Sequence, residues 1–504
     1  MLKLLKFFER NVNSYPDKPA IVDKESTTTY KQLYGKSLEI AFILCNRLHT
    51  KNQPIAILLE KGSDIISTIL GVMYSGNFYS PIDVKSPAAR IDKIISQLKP
   101  SVIITKKQYN TLVSSQNELI FIDEISFDST LDILIDTSKT KDTDPAYVLF
   151  TSGSTGIPKG VVTPHICIDE YTNWAIETFN ITKNTIFGNQ APLHYVNSVF
   201  DIFSSLKIGA TVHLINERLF TFPKKLMQYI EDNKIDLIFW VPSVLSMVAD
   251  MKVFDDISLT TLKKVLFCGE PMPTKQLNYW RANLPQTVFA NLYGATETTD
   301  ASCYYVIDSI SDNKAIPLGK ARKNVSSYII SDDDEIVVSN GKGELYISGI
   351  CVTYGYYNDQ DKTNSVFVQN PKNSKYREML YKTGDIVSVD ENGVMTYLCR
   401  KDYQIKHMGH RIEPGEIECV INAFDGVEKS CVQYDNISKQ IVAFYQAKNE
   451  INKECLVNFL MDMLPNHMIP SDYVYFKNIP ENINGKIDRA YLRSLLNKDT
   501  IPEI

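Results

Sequence analysis

The sequence predicts an α/β protein: a large N-terminal domain of helix-covered sheets with a β-rich subdomain, then a small α+β C-terminal domain. Three observations predict it. Short β-rich runs alternate with helical stretches through most of the chain, which is the pattern of parallel sheets covered by helices. A stretch from about Ile316 to Leu398 is β-rich and punctuated by Gly341, Gly343, Gly349 and Gly393. After Asp402 the order changes to strand, helix, strands and helix. A chain of 504 residues is too long for one ordinary core, and the expected division is 1–401 and 402–504.

The elements follow in order. Met1–Arg10 mixes lysines into an apolar run and reads as an amphipathic first helix, because a secretory core needs about 7–15 uninterrupted apolar residues. Pro54–Leu59 is a strand, followed by a helix over Ser63–Met73, and Ser101–Ile104 is a strand that follows a helix. Ala146–Phe150 and Val161–Val162 are strand-like and flank a polar loop. In the C-terminal part, Pro414–Ala423 and Cys455–Met463 are the helices.

Apolar content of 44% and charge content of 22% describe a globular protein. A net charge of −6 argues against a nucleic-acid partner. No stretch approaches the roughly 20 apolar residues of a membrane span. Nine cysteines stand singly, with no Cys-x-x-Cys pair. That usage suits a reducing cytoplasm and argues against a disulfide framework or a zinc cage.

The loop Thr151-Ser152-Gly153-Ser154-Thr155-Gly156-Ile157-Pro158-Lys159-Gly160 is the richest in chemistry. Glycines let backbone N–H groups turn inward, hydroxyls add donors, and Lys159 adds a point charge for a phosphate. The order is not the Walker pattern, which puts Lys-Ser or Lys-Thr after the last glycine and a helix behind it. A flexible Ser/Gly linker is the alternative, disfavoured by the Pro-Lys-Gly end and the apolar strands on both sides.

This loop resembles the phosphate loop of the adenylate-forming superfamily, which contains acyl-CoA ligases, luciferases and the adenylation enzymes of non-ribosomal peptide synthesis. Further segments carry the resemblance in order: Tyr293-Gly294-Ala295-Thr296-Glu297-Thr298-Thr299, Gly343-Glu344-Leu345 with Gly355-Tyr356, Tyr381-Lys382-Thr383-Gly384-Asp385, Arg400–Lys406 and Asn484–Arg489. Two positions depart from the family pattern, with Ala295 where proline is usual and Cys399 where glycine is expected. The resemblance implies ATP and Mg²⁺. Thr151, Ser152, Gly153, Ser154, Thr155, Gly156 and Lys159 would hold the phosphates, and Glu297 the metal, beside Thr296. Gly269, Glu270, Asn291, Tyr293, Gly294 and Ala295 would form the adenine end, with Asp385 and Arg400 at the ribose. Lys486 would bridge the substrate carboxylate and the α-phosphate. The resemblance further implies a mobile C-terminal domain turning about Asp402, with Lys406 nearby. Gly409 would border the tunnel for a phosphopantetheine thiol. The chain stops soon after the lysine loop, so the expected carrier protein is a separate chain. His407–His410 also fits the His-x-Gly-His pattern of class I aminoacyl-tRNA synthetases, but no Lys-Met-Ser-Lys-Ser follows.

Closer similarity points to amino-acid adenylation domains and D-alanine–D-alanyl carrier protein ligases, through Asn173-Trp174-Ala175, Asn189-Gln190-Ala191-Pro192 and Phe267-Cys268-Gly269-Glu270. The implied acid pocket comprises His194, Val196, Asn197, Phe200, Trp240, Leu266, Cys268, Leu292, Asp300 and Ala301. Amino-acid-activating members carry an Asp for the α-ammonium two residues before a Ser-Val-x-Asp/Glu segment. That segment is Ser198-Val199-Phe200-Asp201, so the anchor position holds Val196. A buried ammonium without a carboxylate costs several kcal/mol. Asp300 either receives an amine or hydroxyl displaced from the α-carbon, or is an exposed strand-end carboxylate. The expected substrate is an aryl acid or a β- or ω-amino acid. The alternatives are D-alanine or another α-amino acid, and an acyl- or aryl-CoA ligase. A binding-only protein is disfavoured because Lys486, Glu297 and Asp385 are all present.

Overall fold

The computed structural model describes residues 2–24, 26–113, 117–126, 135–137, 140–312, 314–333, 335–435, 437–481 and 487–496. Among these the strands gather into five sheets, two of them large and mostly parallel. The six-stranded sheet runs in space Leu119–Phe121, Val102–Thr105, Pro54–Leu58, Phe78–Pro81, Pro145–Thr151 and Lys159–Pro164. Only its last pair is antiparallel. Every residue of Pro54–Leu58 is buried, as a strand covered by helices on both faces must be.

The nine-stranded sheet runs Lys320–Ala321, Asp300–Val306, Val288–Ala295, Lys264–Phe267, Leu237–Trp240, Ile186–Asn189, Thr211–Leu214, Pro19–Val22 and Thr27–Thr29. Helices wedge between the sheets. Tyr30–Arg47 starts on a reciprocal cap in which Thr29 and Gln32 satisfy each other's backbone. Ser198–Ile208 ends on Gly209 in the left-handed conformation. One large apolar cluster unites both sheets, from Leu4 and Phe8 of the first helix to Leu292 and Ala301. The first helix spans Lys3–Ser14 and buries Leu4, Leu5, Phe8 and Val12, so its apolar stripe is core-facing.

Val325–Ile330, Gly341–Gly349, Phe367–Gln369, Met379–Val389 and Met395–Arg400 form the antiparallel β-rich part. Beyond Arg400 come a hairpin, Ile405–His407 with His410–Ile412, the helix Pro414–Ile421, and a three-stranded sheet of Val427–Asp435, Gln440–Ala447 and Asp472–Phe476. This last part has its own apolar core around Ile417, Ile421, Leu456 and Leu460. Among the described residues no helix is long and apolar enough to cross a membrane.

Candidate functional site

The loop 152–158 is the tip of an antiparallel hairpin closed by the pair Thr151 and Lys159. Ser152 and Gly153 are buried in it, while Ser154 and Thr155 are exposed. A side chain at Gly153 would lie 1.8 Å from the Ile157 carbonyl oxygen, so only glycine lets the loop fold this tightly. Its donors hold oxygens of the C-terminal part. The Gly153 N–H meets Glu416 Oε2 at 3.2 Å, the Ser152 hydroxyl donates to the Arg411 carbonyl at 2.7 Å, and Lys159 Nζ pairs with Glu413 at 3.1 Å. Gly156 has φ +76° and its carbonyl accepts from Lys93.

Glu297 sits in a short turn after Val288–Ala295, fully buried. Its Oε1 accepts from the Tyr356 hydroxyl at 2.7 Å and its Oε2 from Arg411 Nη1 at 2.6 Å. Burial would raise this carboxyl, but Arg411 and Lys159 hold it below its ordinary value. The site fits a magnesium polyphosphate: the loop's N–H and ammonium already hold carboxylate oxygens, and the buried carboxylate already holds a cation. Thr296 and Ala295 are half-buried beside it.

At the expected ribose end, Asp385 is buried and receives the Tyr293 hydroxyl, Arg400 Nη1 at 2.7 Å and, at 4.0 Å, Lys406. Arg400 also grips Asp402 with Nε at 2.5 Å and Nη2 at 2.6 Å. Lys406 lies 5.5 Å over the Tyr293 ring. Gly294 packs against Asp300, and Asn291 donates to the Pro317 carbonyl. Glu270, expected near adenine, accepts from the Ser243 N–H at 3.1 Å and from the Gly409 N–H at 2.7 Å. Neighbouring Gly269 has φ +100°. Gly409 itself has φ +79°, and a side chain on it would meet Val241 Cγ1 at 2.5 Å.

Beside Gly409, His410 and His467 stack with ring centres 3.7 Å apart, and Tyr195 bonds His410 Nδ1 at 2.6 Å. Half-buried His194 lies against Tyr195. Burial and the neighbouring imidazoles push His410 down to about 4 and His467 to about 2.

Of the acid-pocket candidates, Val196, Phe200, Leu266, Cys268, Leu292 and Ala301 share one apolar cluster with Tyr171, Trp174, Phe179 and Phe239. Asn197 begins the helix Ser198–Ile208. Asp300 is 2% exposed, so the exposed strand-end alternative is overturned. Its Oδ2 accepts from the Tyr171 hydroxyl at 2.7 Å, and burial pushes it up to about 7 against the pull of Tyr171 and Arg322. Asp201 is also fully buried. Its Oδ2 accepts from Asn189 at 2.9 Å, its Oδ1 has no partner among the described residues, and burial raises it to about 8.

One expected pocket residue faces elsewhere. Trp240 packs in a different apolar cluster, donates its indole N–H to the Gly188 carbonyl at 2.8 Å and meets Phe220. Successive strand residues point to opposite faces, so Phe239, not Trp240, meets Phe200 at a ring separation of 4.8 Å. The sequence reading assigned no role to Tyr171, Tyr356, Arg411, Glu413 and Glu416. A dense charge pattern, Arg411-Ile412-Glu413-Pro414-Gly415-Glu416, was the available signal. Lys486 lies outside the described residues. Its described flanks Glu481 and Ile487 pair with each other, and Glu481 pairs with Lys429.

A family model described as AMP-binding enzyme matches residues 8–357. The chain is 31% identical over 514 residues to a D-alanine–D-alanyl carrier protein ligase of Bacillus cytotoxicus, covering 98% of this chain and 99% of that one. It is 29% identical to bacitracin synthase 3 of Bacillus licheniformis, over 97% of its own length and 8% of that much longer protein. In fold it is similar to the Vibrio cholerae adenylation domain AlmE, solved with glycyl-adenosine-5'-phosphate, at a TM-score of 0.86 and 22% identity, covering 99% and 98% of the two chains. These similarities make the protein an AMP-forming acid–thiol ligase. It belongs to the AMP-binding enzyme family.

Proposed function

We propose that the protein activates a small carboxylic acid as its acyl-adenylate and passes the acyl group to the phosphopantetheine thiol of a separate carrier protein. The acid is an aryl acid or a β- or ω-amino acid. The carrying observation is that Val196, at the anchor position the resemblance implies, is buried among apolar side chains, while Asp300 is a buried carboxyl bonded to Tyr171 of the same cluster. An α-ammonium placed at Val196 would find no counter-charge there, whereas a hydroxyl or a displaced amine at Asp300 would find an acceptor.

In the first half-reaction a carboxylate oxygen of the acid attacks the α-phosphorus of ATP, and pyrophosphate leaves with the electron pair of the broken P–O bond. Two anions must approach, so the enzyme's work is alignment and charge neutralisation. Lys159 and the loop N–H groups hold the β- and γ-phosphates, Asp385 holds the ribose hydroxyls, and Lys486 bridges the acid and the α-phosphate. Glu297 would hold Mg²⁺, which would supply neutralisation of phosphate charge. In the second half-reaction the thiol sulfur attacks the acyl carbon and AMP leaves. No protein nucleophile is needed.

A second reading has its own support. The full-length similarity to a D-alanine–D-alanyl carrier protein ligase, together with Cys268 in the pocket cluster, favours D-alanine. ATP–pyrophosphate exchange with a panel of α-, β- and aryl acids separates the two. The expected outcome is weak exchange with D- and L-alanine and strong exchange with a hydroxyaryl or β-amino acid, with Val196→Asp shifting preference toward α-amino acids. Efficient exchange with D-alanine by the unaltered protein overturns the first reading in favour of the second.

A further inference from the structure

The helix His165–Thr178 places Tyr171 between the acid-pocket cluster and a wholly buried guanidinium. The Tyr171 ring stacks on Trp174 with centres 5.7 Å apart and meets Phe200 edge-on at 6.1 Å. The guanidinium is that of Arg322, which lies 5.5 Å over Tyr171 and 5.4 Å over Trp174. Its Nε donates to the carbonyl of Ala301 at 2.8 Å, and its Nη1 pairs with Glu170. Asp300 is therefore fixed from two sides, by the Tyr171 hydroxyl on Oδ2 and by Arg322 on the next residue of its strand. The charges here do not balance. Glu170 and Asp300 are two carboxylates, and Arg322 is one cation already paired with Glu170. Tyr147, Cys268 and Asp201 also stand around Asp300, and none of them carries positive charge.

We propose that Tyr171, held in place by Arg322, is a positioning residue that presents Asp300 to a primary ammonium group of the substrate, so that the activated acid carries its amine away from the α-carbon. The Tyr171 hydroxyl gives its one proton to a hydrogen bond with Asp300, which leaves its oxygen and the ionised carboxylate as acceptors only. An ammonium brings three donors and the missing positive charge. A hydroxyl brings one donor and leaves a buried carboxylate without a counter-ion. The raised proton affinity of Asp300, pushed up to about 7 by burial, agrees with a carboxyl that lacks its own cation. Val196, buried among apolar side chains, offers the same amine no partner beside the α-carbon. The inference rests on the reading of Val196 and Asp300 as parts of the acid pocket.

ATP–pyrophosphate exchange at about pH 8, where Asp300 is mainly ionised, tests it. The probes are ω-amino acids of three to six carbons and the aminomethylbenzoates, each beside its hydroxyl counterpart. In the unaltered protein the best amine should exceed its hydroxyl counterpart in kcat/KM by about a hundredfold, the scale of a desolvated charge pair. Tyr171→Phe keeps the ring on Trp174 and removes only the hydroxyl. It should cut that preference about tenfold, through KM rather than kcat, and move the midpoint of the KM–pH profile up by about one unit. Asp300→Asn should abolish the preference. A purely structural Tyr171 would instead lower exchange with amine and hydroxyl acids alike and leave the midpoint in place, which overturns its positioning role, as does an unchanged preference in Tyr171→Phe. Equal exchange with both members of each pair by the unaltered protein, or none with any amine, overturns the ammonium assignment. Efficient exchange with D-alanine overturns instead the pocket reading on which the inference rests.

Discussion

Around the phosphate loop, charge is answered by charge across the boundary between the two parts of the chain: Lys159 with Glu413, Glu297 with Arg411, Arg90 with Glu416. Around Val196, Phe200 and Leu266 the walls are apolar and belong to the N-terminal part alone, and the carboxyls set among them, Asp300 and Asp201, carry raised proton affinities. The first surface can trade one set of partners for another, because each ion pair can be replaced by a ligand of the same charge. The second cannot, because its shape is fixed by close packing. On the proposed function, one half of the site alternates and the other selects.

The largest expected effect breaks the alternating half. Lys486→Ala should lower ATP–pyrophosphate exchange by about 100- to 1,000-fold, the scale of losing one aligned cation at a reacting centre, while transfer from supplied acyl-adenylate persists. Equal loss of both steps would make Lys486 structural and remove the division of labour. Next in size, Gly409→Leu should slow thioester formation far more than exchange, because its side chain collides with Val241. Equal slowing of both, measured on the same preparation, would move the thiol path away from Gly409.

The smallest effect sharpens the selecting half. Asp300 is raised to about 7, so it is mainly protonated at pH 6 and mainly ionised at pH 8. If the substrate carries an amine, its apparent KM should fall about tenfold over that interval, and Asp300→Asn should flatten the profile. A hydroxyaryl substrate should show little change. The sign for stability is opposite. A carboxyl raised in the folded state contributes stability that is present below its unfolded value and lost as pH rises through the folded one. Asp300 and Asp201 therefore draw stability down between about pH 4 and pH 8.

The loop after Thr151, Glu297 and Asp385 could be singled out because each lies in a short contiguous string whose residue types suggest a chemistry. The alternation of strands and helices was legible for the same local reason. The placement of Trp240 was not, since strand parity decides which of two adjacent aromatics joins the cluster around Phe200, and both are large and apolar. The pairing of Arg411 with Glu297, 114 positions apart, is a product of domain docking that no local pattern encodes. Asp300 was legible as a candidate, but its burial depends on Tyr171 and Arg322 arriving from distant helices and loops.

The imidazoles of His410 and His467, stacked face to face beside Tyr195 and near Arg90, have a consequence for the traffic of protons. Both are held uncharged wherever the C-terminal part is docked. Both belong to the C-terminal part; released from Tyr195, His194 and Arg90 and exposed to water, the pair would regain ordinary histidine basicity and, below neutrality, take up a proton. Docking in mildly acid solution is thus an act of proton release, and its equilibrium is tied to the acidity of the surroundings. As the solution acidifies from about pH 6.5 toward 4 the balance tilts away from the docked form.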